Sequence, residues 1–173
     1  EGLKPIVEQV RKLVEKGYEA LRADPEEIKR AIARLDQGLR AYTNAKQRLV
    51  LSGEFALPQI IQKLSDPDTE PSHRERLATV LSAMGKEAVR PLAKALETKD
   101  VRLQQIIAAA LGEIQYRHAV PQLKELYERE KTLDEVKRSI RAALLTIQPD
   151  ALKRPTAQLY YELAVKYYYC AES

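Results

Sequence analysis

The amino-acid sequence predicts an all-α protein: an α-α superhelix, built as a short solenoid of antiparallel helix pairs with an N-terminal helical hairpin. Three observations predict it. First, turn signals recur. Gly53 precedes Ala56-Leu57-Pro58-Gln59-Ile60, Gly85 precedes Ala88-Val89-Arg90-Pro91-Leu92, and Gly112 precedes Ala119-Val120-Pro121-Gln122-Leu123; the alanines stand 32 and then 31 residues apart. Second, Ala109-Ala110-Leu111-Gly112-Glu113-Ile114 returns 33 positions later as Ala142-Ala143-Leu144-Leu145-Thr146-Ile147. Self-similarity at a period of roughly 20–50 residues marks a stack of supersecondary units. Third, the apolar residues between the turns recur at the three-and-four spacing of a helix face.

Residues 1–52 read as the N-terminal hairpin, continuous with the repeats. Pro5 suits a first helical turn, and Ile6, Val10, Leu13, Val14 and Leu21 form one stripe through Arg22. Asp24-Pro25-Glu26-Glu27 then starts a second helix: Asp24 caps, Pro25 takes the first position, and the glutamates face the positive end of the dipole. That helix is expected to run to about Ser52, with Ile28, Ile32, Leu35, Leu39, Tyr42 and Leu49 on its apolar face. Residues 45–147 form the repeat array. In each unit, small residues let the first helix approach its neighbour, and a proline opens the second helix without losing a hydrogen bond. Gly112 is expected at a helix end, in the left-handed conformation that glycine tolerates. Leu92, Ile107, Leu111, Ile114, Val120, Leu123 and Leu144 are the expected core, and residues 65–72 an inserted loop. Residues 150–173 form a C-terminal helix after Pro149 and Pro155, and 5 of the chain's 9 tyrosines fall within 160–169.

Leu111-Gly112-Glu113-Ile114 with Ala119-Val120-Pro121-Gln122-Leu123 resembles the short bacterial type of HEAT repeat, and Ala83-Met84-Gly85 with Ala88-Val89 and Leu92 resembles a second copy. The resemblance spans roughly residues 45–147. Its spacing is shorter than the roughly 40–47 residues of larger HEAT repeats, and Leu145 stands where the pattern wants glycine. The resemblance implies a stacked-hairpin fold offering a protein- or peptide-binding surface. Some relatives of this kind hold duplex DNA on a basic face.

The residues themselves point to a scaffold rather than an enzyme. Net charge is +4 and spread evenly along the chain, which gives no strong case for nucleic acid. No stretch has the length and apolarity of a membrane span. The two histidines, His73 and His118, read as exposed turn residues, with no HExxH, paired cysteines or other metal spacing. Glu87 and Asp100 read as caps or solvent-facing carboxylates, and Ser52 and Ser82 lack a histidine base at motif spacing. The glycines form no phosphate cradle. No catalytic residue, metal or cofactor is therefore expected. The single Cys170 reads as a free thiol near the chain end, Glu1-Gly2 as a processed boundary, and the compartment stays unassigned.

Two surfaces are candidates for contact. Tyr160, Tyr161, Tyr167 and Tyr168 are expected to meet another protein or an adjacent domain of the same polypeptide, or else to cover the open end of the stack. The alternative is a nucleic-acid-binding module using a basic patch of Lys137, Arg138, Arg141, Lys153 and Arg154; Asp134 and Glu135 beside it argue against that reading.

Overall fold

The structure is a computed structural model that describes residues 3–170, with side chains from residue 5 to residue 169. Among these residues every regular element is helical. Ten α-helices occur in order: α1 (Leu3–Ala23), α2 (Pro25–Arg34), α3 (Leu39–Ser52), α4 (Leu57–Ser65), α5 (Pro71–Ala83), α6 (Val89–Ala95), α7 (Val101–Ile114), α8 (Val120–Glu128), α9 (Asp134–Ile147) and α10 (Thr156–Cys170). Short 3-10 turns, Gly53–Ala56, Gly85–Ala88 and Arg117–Ala119, join α3 to α4, α5 to α6, and α7 to α8. A fourth, Pro149–Lys153, comes after α9.

The stack is held by repeating core positions. Leu49, Leu81, Leu111 and Leu144 are fully buried at one register of the first helices. Ile28, Ile60, Leu92 and Leu123 are buried at one register of the second helices. That second series begins in α2, so the repeat register extends N-terminal of residue 45. Each helix alone would leave its stripe in water, and stacking removes it.

Four local expectations are corrected. Residues 25–52 are not one helix. The chain turns between Arg34 and Leu39, where Gly38 adopts φ 96° and caps α3. The turn is tied to the next unit: Arg76 donates to the Leu35 carbonyl, and Asp36 pairs with His73 and Arg76. The pairing here is therefore α2 with α3. Within this segment Leu39 lies exposed rather than on the apolar face. Second, the α1 stripe of Ile6, Val10, Leu13, Val14 and Leu21 is exposed. Among the described residues α1 is fastened at its C-terminal end, by Arg48 donating to the Leu21 carbonyl and by Arg22 donating to the Leu51 carbonyl at 2.6 Å. The Asp24 cap itself forms as expected, accepting from the backbone N–H of Glu26 at 2.9 Å and Glu27 at 3.2 Å.

Third, Gly112 is no helix end. It lies inside α7, buried, and a Cβ there would meet Ala143 Cα of α9 at 3.0 Å. Its job is close approach of two helices. The left-handed residue of that unit is Gln115, at φ 55°, in the place that Gly53 and Gly85 fill in the earlier units. Fourth, Ile114 is half-buried, whereas the other six expected core residues are buried. The inserted loop is tight: Thr69 is buried and its hydroxyl donates to the Lys63 carbonyl at 2.7 Å, and Pro71 already begins α5.

Candidate interaction surface

α10 is docked on the array by polar ties around one buried leucine. Pro155 stands just before the helix, its carbonyl accepting from the backbone N–H of Gln158 and Leu159, and Leu159 is buried beneath the helix. At its first turn, Thr156 Oγ1 donates to Glu128 Oε2 at 2.6 Å. Glu128 also takes Lys124 Nζ at 2.7 Å, and Lys124 donates to the Leu152 carbonyl at 3.1 Å. Lys124 is almost fully buried, so these two partners replace its lost water. The Lys124 bond, then the Thr156 bond, holds the Glu128 carboxyl below its usual range. One turn on, the Tyr160 hydroxyl donates to Glu125 Oε2 at 2.6 Å. Burial, then this acceptor, pushes the Tyr160 phenol up. Arg154 pairs with Glu162 and, at 3.4 Å, with Asp150.

The far end of α10 reaches back to the turns of earlier units. Tyr116 stacks on His118 with ring centroids 4.2 Å apart, and Tyr167 lies tilted on the same imidazole at 5.1 Å. Arg90 donates from Nε to the Tyr167 hydroxyl at 3.2 Å, and its guanidinium sits 4.9 Å from that ring's centroid. His118 Nδ1 is buried without a hydrogen-bond partner among the described residues. Burial first, then the charges of Lys166 and Arg90, push the His118 imidazole down.

The tyrosines thus divide. Tyr160 is half-buried and Tyr167 is pinned by Arg90, while Tyr161 and Tyr168 stand 69% and 66% exposed. The five cations divide as well. Lys137, Arg138 and Arg141 lie on α9 and make no ion pair among the described residues; Arg138 and Arg141 are exposed. Lys153 is exposed in the 3-10 turn, but Arg154 is taken by Asp150 and Glu162.

The histidines are not exposed turn residues. His118 is sandwiched between Tyr116 and Tyr167, and His73 is buried near the start of α5, its Nδ1 on Asp36 Oδ2. The imidazole of His73 spends its bond on joining two units. The Ser52 and Ser82 hydroxyls donate to the carbonyls of Arg48 and Ala78. Among the described residues no group of three or more His, Cys, Asp or Glu side chains could hold a metal ion. No helix among them is long and apolar enough to cross a membrane. The side chain of Cys170, Glu1-Gly2 and the last three residues lie outside the described residues. Sequence reasoning passed over Lys124 and Arg90. Both carried a signal: Lys124 falls beside the apolar Val120 and Leu123 of α8, and Arg90 stands where neighbouring units have Pro58 and Pro121.

A family model described as HEAT repeats matches residues 57–145. No curated protein matches the chain. Among solved structures, human deoxyhypusine hydroxylase in complex with glycerol is similar at 20% identity and a TM-score of 0.43, over 80% of this chain and 56% of that one. The chain thus spans little more than half the length of that protein.

Proposed function

Because this chain belongs to the HEAT-repeat family, we propose that it is a non-enzymatic interaction scaffold, or a structural module of a larger protein, that binds a protein or peptide on its repeat surface. The observation that carries the reading is the outward pair Tyr161 and Tyr168 on a helix that is itself firmly docked. Large rings held on an anchored helix lose little conformational freedom on binding and bury a large area. Replacing Tyr161 or Tyr168 with a photo-reactive phenylalanine analogue, in the full chain in its own cells, should give covalent protein adducts that the same group at Lys131 does not. Absence of any adduct from both tyrosines, or adducts to nucleic acid alone, would refute it.

The nucleic-acid reading keeps one specific support, Lys137, Arg138 and Arg141 on α9, which are unpaired among the described residues. It requires duplex binding that weakens steeply with salt as counterions are released and that is lost on reversing those three charges.

A further inference from the structure

Between α2 and α3 runs an open groove. Its floor is Ala31, Ala41 and Ala45, and its rims carry Arg34, Arg40 and Arg48. The repeat register shows why it is open. Position 45 matches Leu77, Ile107 and Ile140 of the next three units, all three fully buried. Position 41 matches His73, Leu103 and Val136, which are also buried. At these two positions those units carry branched or aromatic side chains and this one carries methyl groups, Ala45 buried and Ala41 half-buried.

The rim is cationic without local compensation. Arg34, at the end of α2, and Arg40, at the start of α3, make no ion pair or side-chain hydrogen bond among the described residues. Arg48 is partly occupied, donating to Ser52 Oγ at 3.1 Å and to the Leu21 carbonyl. The one acid on the rim, Glu27, is taken by Arg30 at 2.6 Å. Two guanidinium forks therefore face water across a trough with alanines at its base.

We propose that this groove receives an acidic segment of a partner protein. Its small side chains would lie on the alanine floor, and its Asp or Glu carboxylates would take the forks of Arg34 and Arg40. The proposal rests on the scaffold reading and specifies the partner's chemistry. A carboxylate suits the guanidinium fork in a two-bond geometry. The charge is complementary, since no acid of the groove is free to compete. A phosphate backbone fits less well. It needs a run of cations along its path and, when single-stranded, aromatic faces for its bases; this groove offers the two free forks of Arg34 and Arg40 and carries no ring.

The test uses the full chain and a short fluorescent peptide of repeating Glu-Ala-Ala, with its Gln-Ala-Ala counterpart and duplex DNA as the other probes. Anisotropy should show binding of the Glu peptide that falls with salt and is absent for the Gln peptide. Arg34→Glu with Arg40→Glu should weaken it by roughly tenfold or more. These side chains are exposed and unpaired among the described residues, so the fold should survive. Ala45→Leu, which places there the side chain of the matching Leu77, should weaken binding too. Lys137→Glu with Arg138→Glu makes the same change in net charge elsewhere and should leave affinity unchanged. Equal weakening by both charge reversals, no effect of the first, no peptide binding, or tighter binding of DNA would each overturn the groove assignment. Adducts at Tyr161 or Tyr168 would still uphold the scaffold reading in that case, so the two failures are distinguishable.

Discussion

Gly112→Ala is the sharpest test of the packing. In an exposed helix interior, this change gains roughly 1 kcal/mol, because alanine is the better helix former. At Gly112 the new methyl would stand 3.0 Å from Ala143 Cα and 3.1 Å from its Cβ. Comfortable carbon–carbon contact needs about 3.5–4.0 Å, so α9 must retreat by about half an ångström or more. The obstacle is backbone, and α9 is also packed against α8. Overpacking of this kind costs about 1–3 kcal/mol. The sum is a net loss of about 1 kcal/mol for Gly112→Ala and about 3 kcal/mol for Gly112→Val, whose branch adds two further carbons. For a chain of this size, each kcal/mol lowers the thermal midpoint by about 2–4 °C. Circular dichroism at 222 nm during heating and in urea reads both. The control lies 33 positions later: Leu145 occupies the same register in α9 but is 46% exposed, so Leu145→Ala should stay within about 0.5 kcal/mol of the parent. A Gly112→Ala chain as stable as the parent, or more so, would refute the reasoning, because α9 would then be yielding freely.

The same geometry sets three further outcomes. Gln115 holds a left-handed φ of 55° without being glycine; Gln115→Gly should stabilise the chain by about 1 kcal/mol, read by urea midpoint. Lys124→Met keeps the buried bulk but leaves the Leu152 carbonyl and Glu128 each short of a donor. It should cost about 1–3 kcal/mol and speed amide exchange in α10. His118 is depressed in the folded chain by burial and by Lys166 and Arg90. The unfolded chain therefore binds the proton more readily. The contribution of neutral His118 is complete above its unfolded value of about 6.5 and is lost as pH falls through the lower folded value. Amide protection in α10 should drop on acidification across that window, and the drop should shrink in His118→Gln; an unchanged drop would place its cause elsewhere.

The fold was legible because a solenoid writes its core repeatedly. The recurrence of Ala56, Ala88 and Ala119 marks units that the structure builds as helix pairs, and the buried leucines fall where helical spacing puts them. What spacing could not tell was which turn a glycine makes. Gly38 looks like a tolerable residue inside a long amphipathic helix, yet the Leu35 carbonyl and Asp36 are claimed by α5, some 37 residues away in sequence from His73 back to Asp36. Tertiary ties of that range have no local signature. The α1 stripe misled for the opposite reason. Its spacing is as helical as any in the chain, but amphipathicity announces only that a face needs a partner, not that the same chain supplies one.

The surface was less legible, and the register explains why. In a repeat array the informative residue is the one that departs from its equivalents. Arg90 replaces Pro58 and Pro121, and it is Arg90 that catches Tyr167. Gln115 replaces Gly53 and Gly85 at the turn that leads into the Tyr116–His118 stack. Ala45 replaces Leu77, Ile107 and Ile140, and the groove opens there. Each departure gives up something the array would otherwise gain: a pre-set turn, a relaxed backbone, a filled core. Losses of that kind are tolerated where another contact offsets them. For Arg90 the offsetting contact is visible, because α10 supplies it. For Ala45, with Arg34 and Arg40 still uncompensated above it, the described residues supply none, and that asymmetry is the physical reason to look for the missing contact in another molecule.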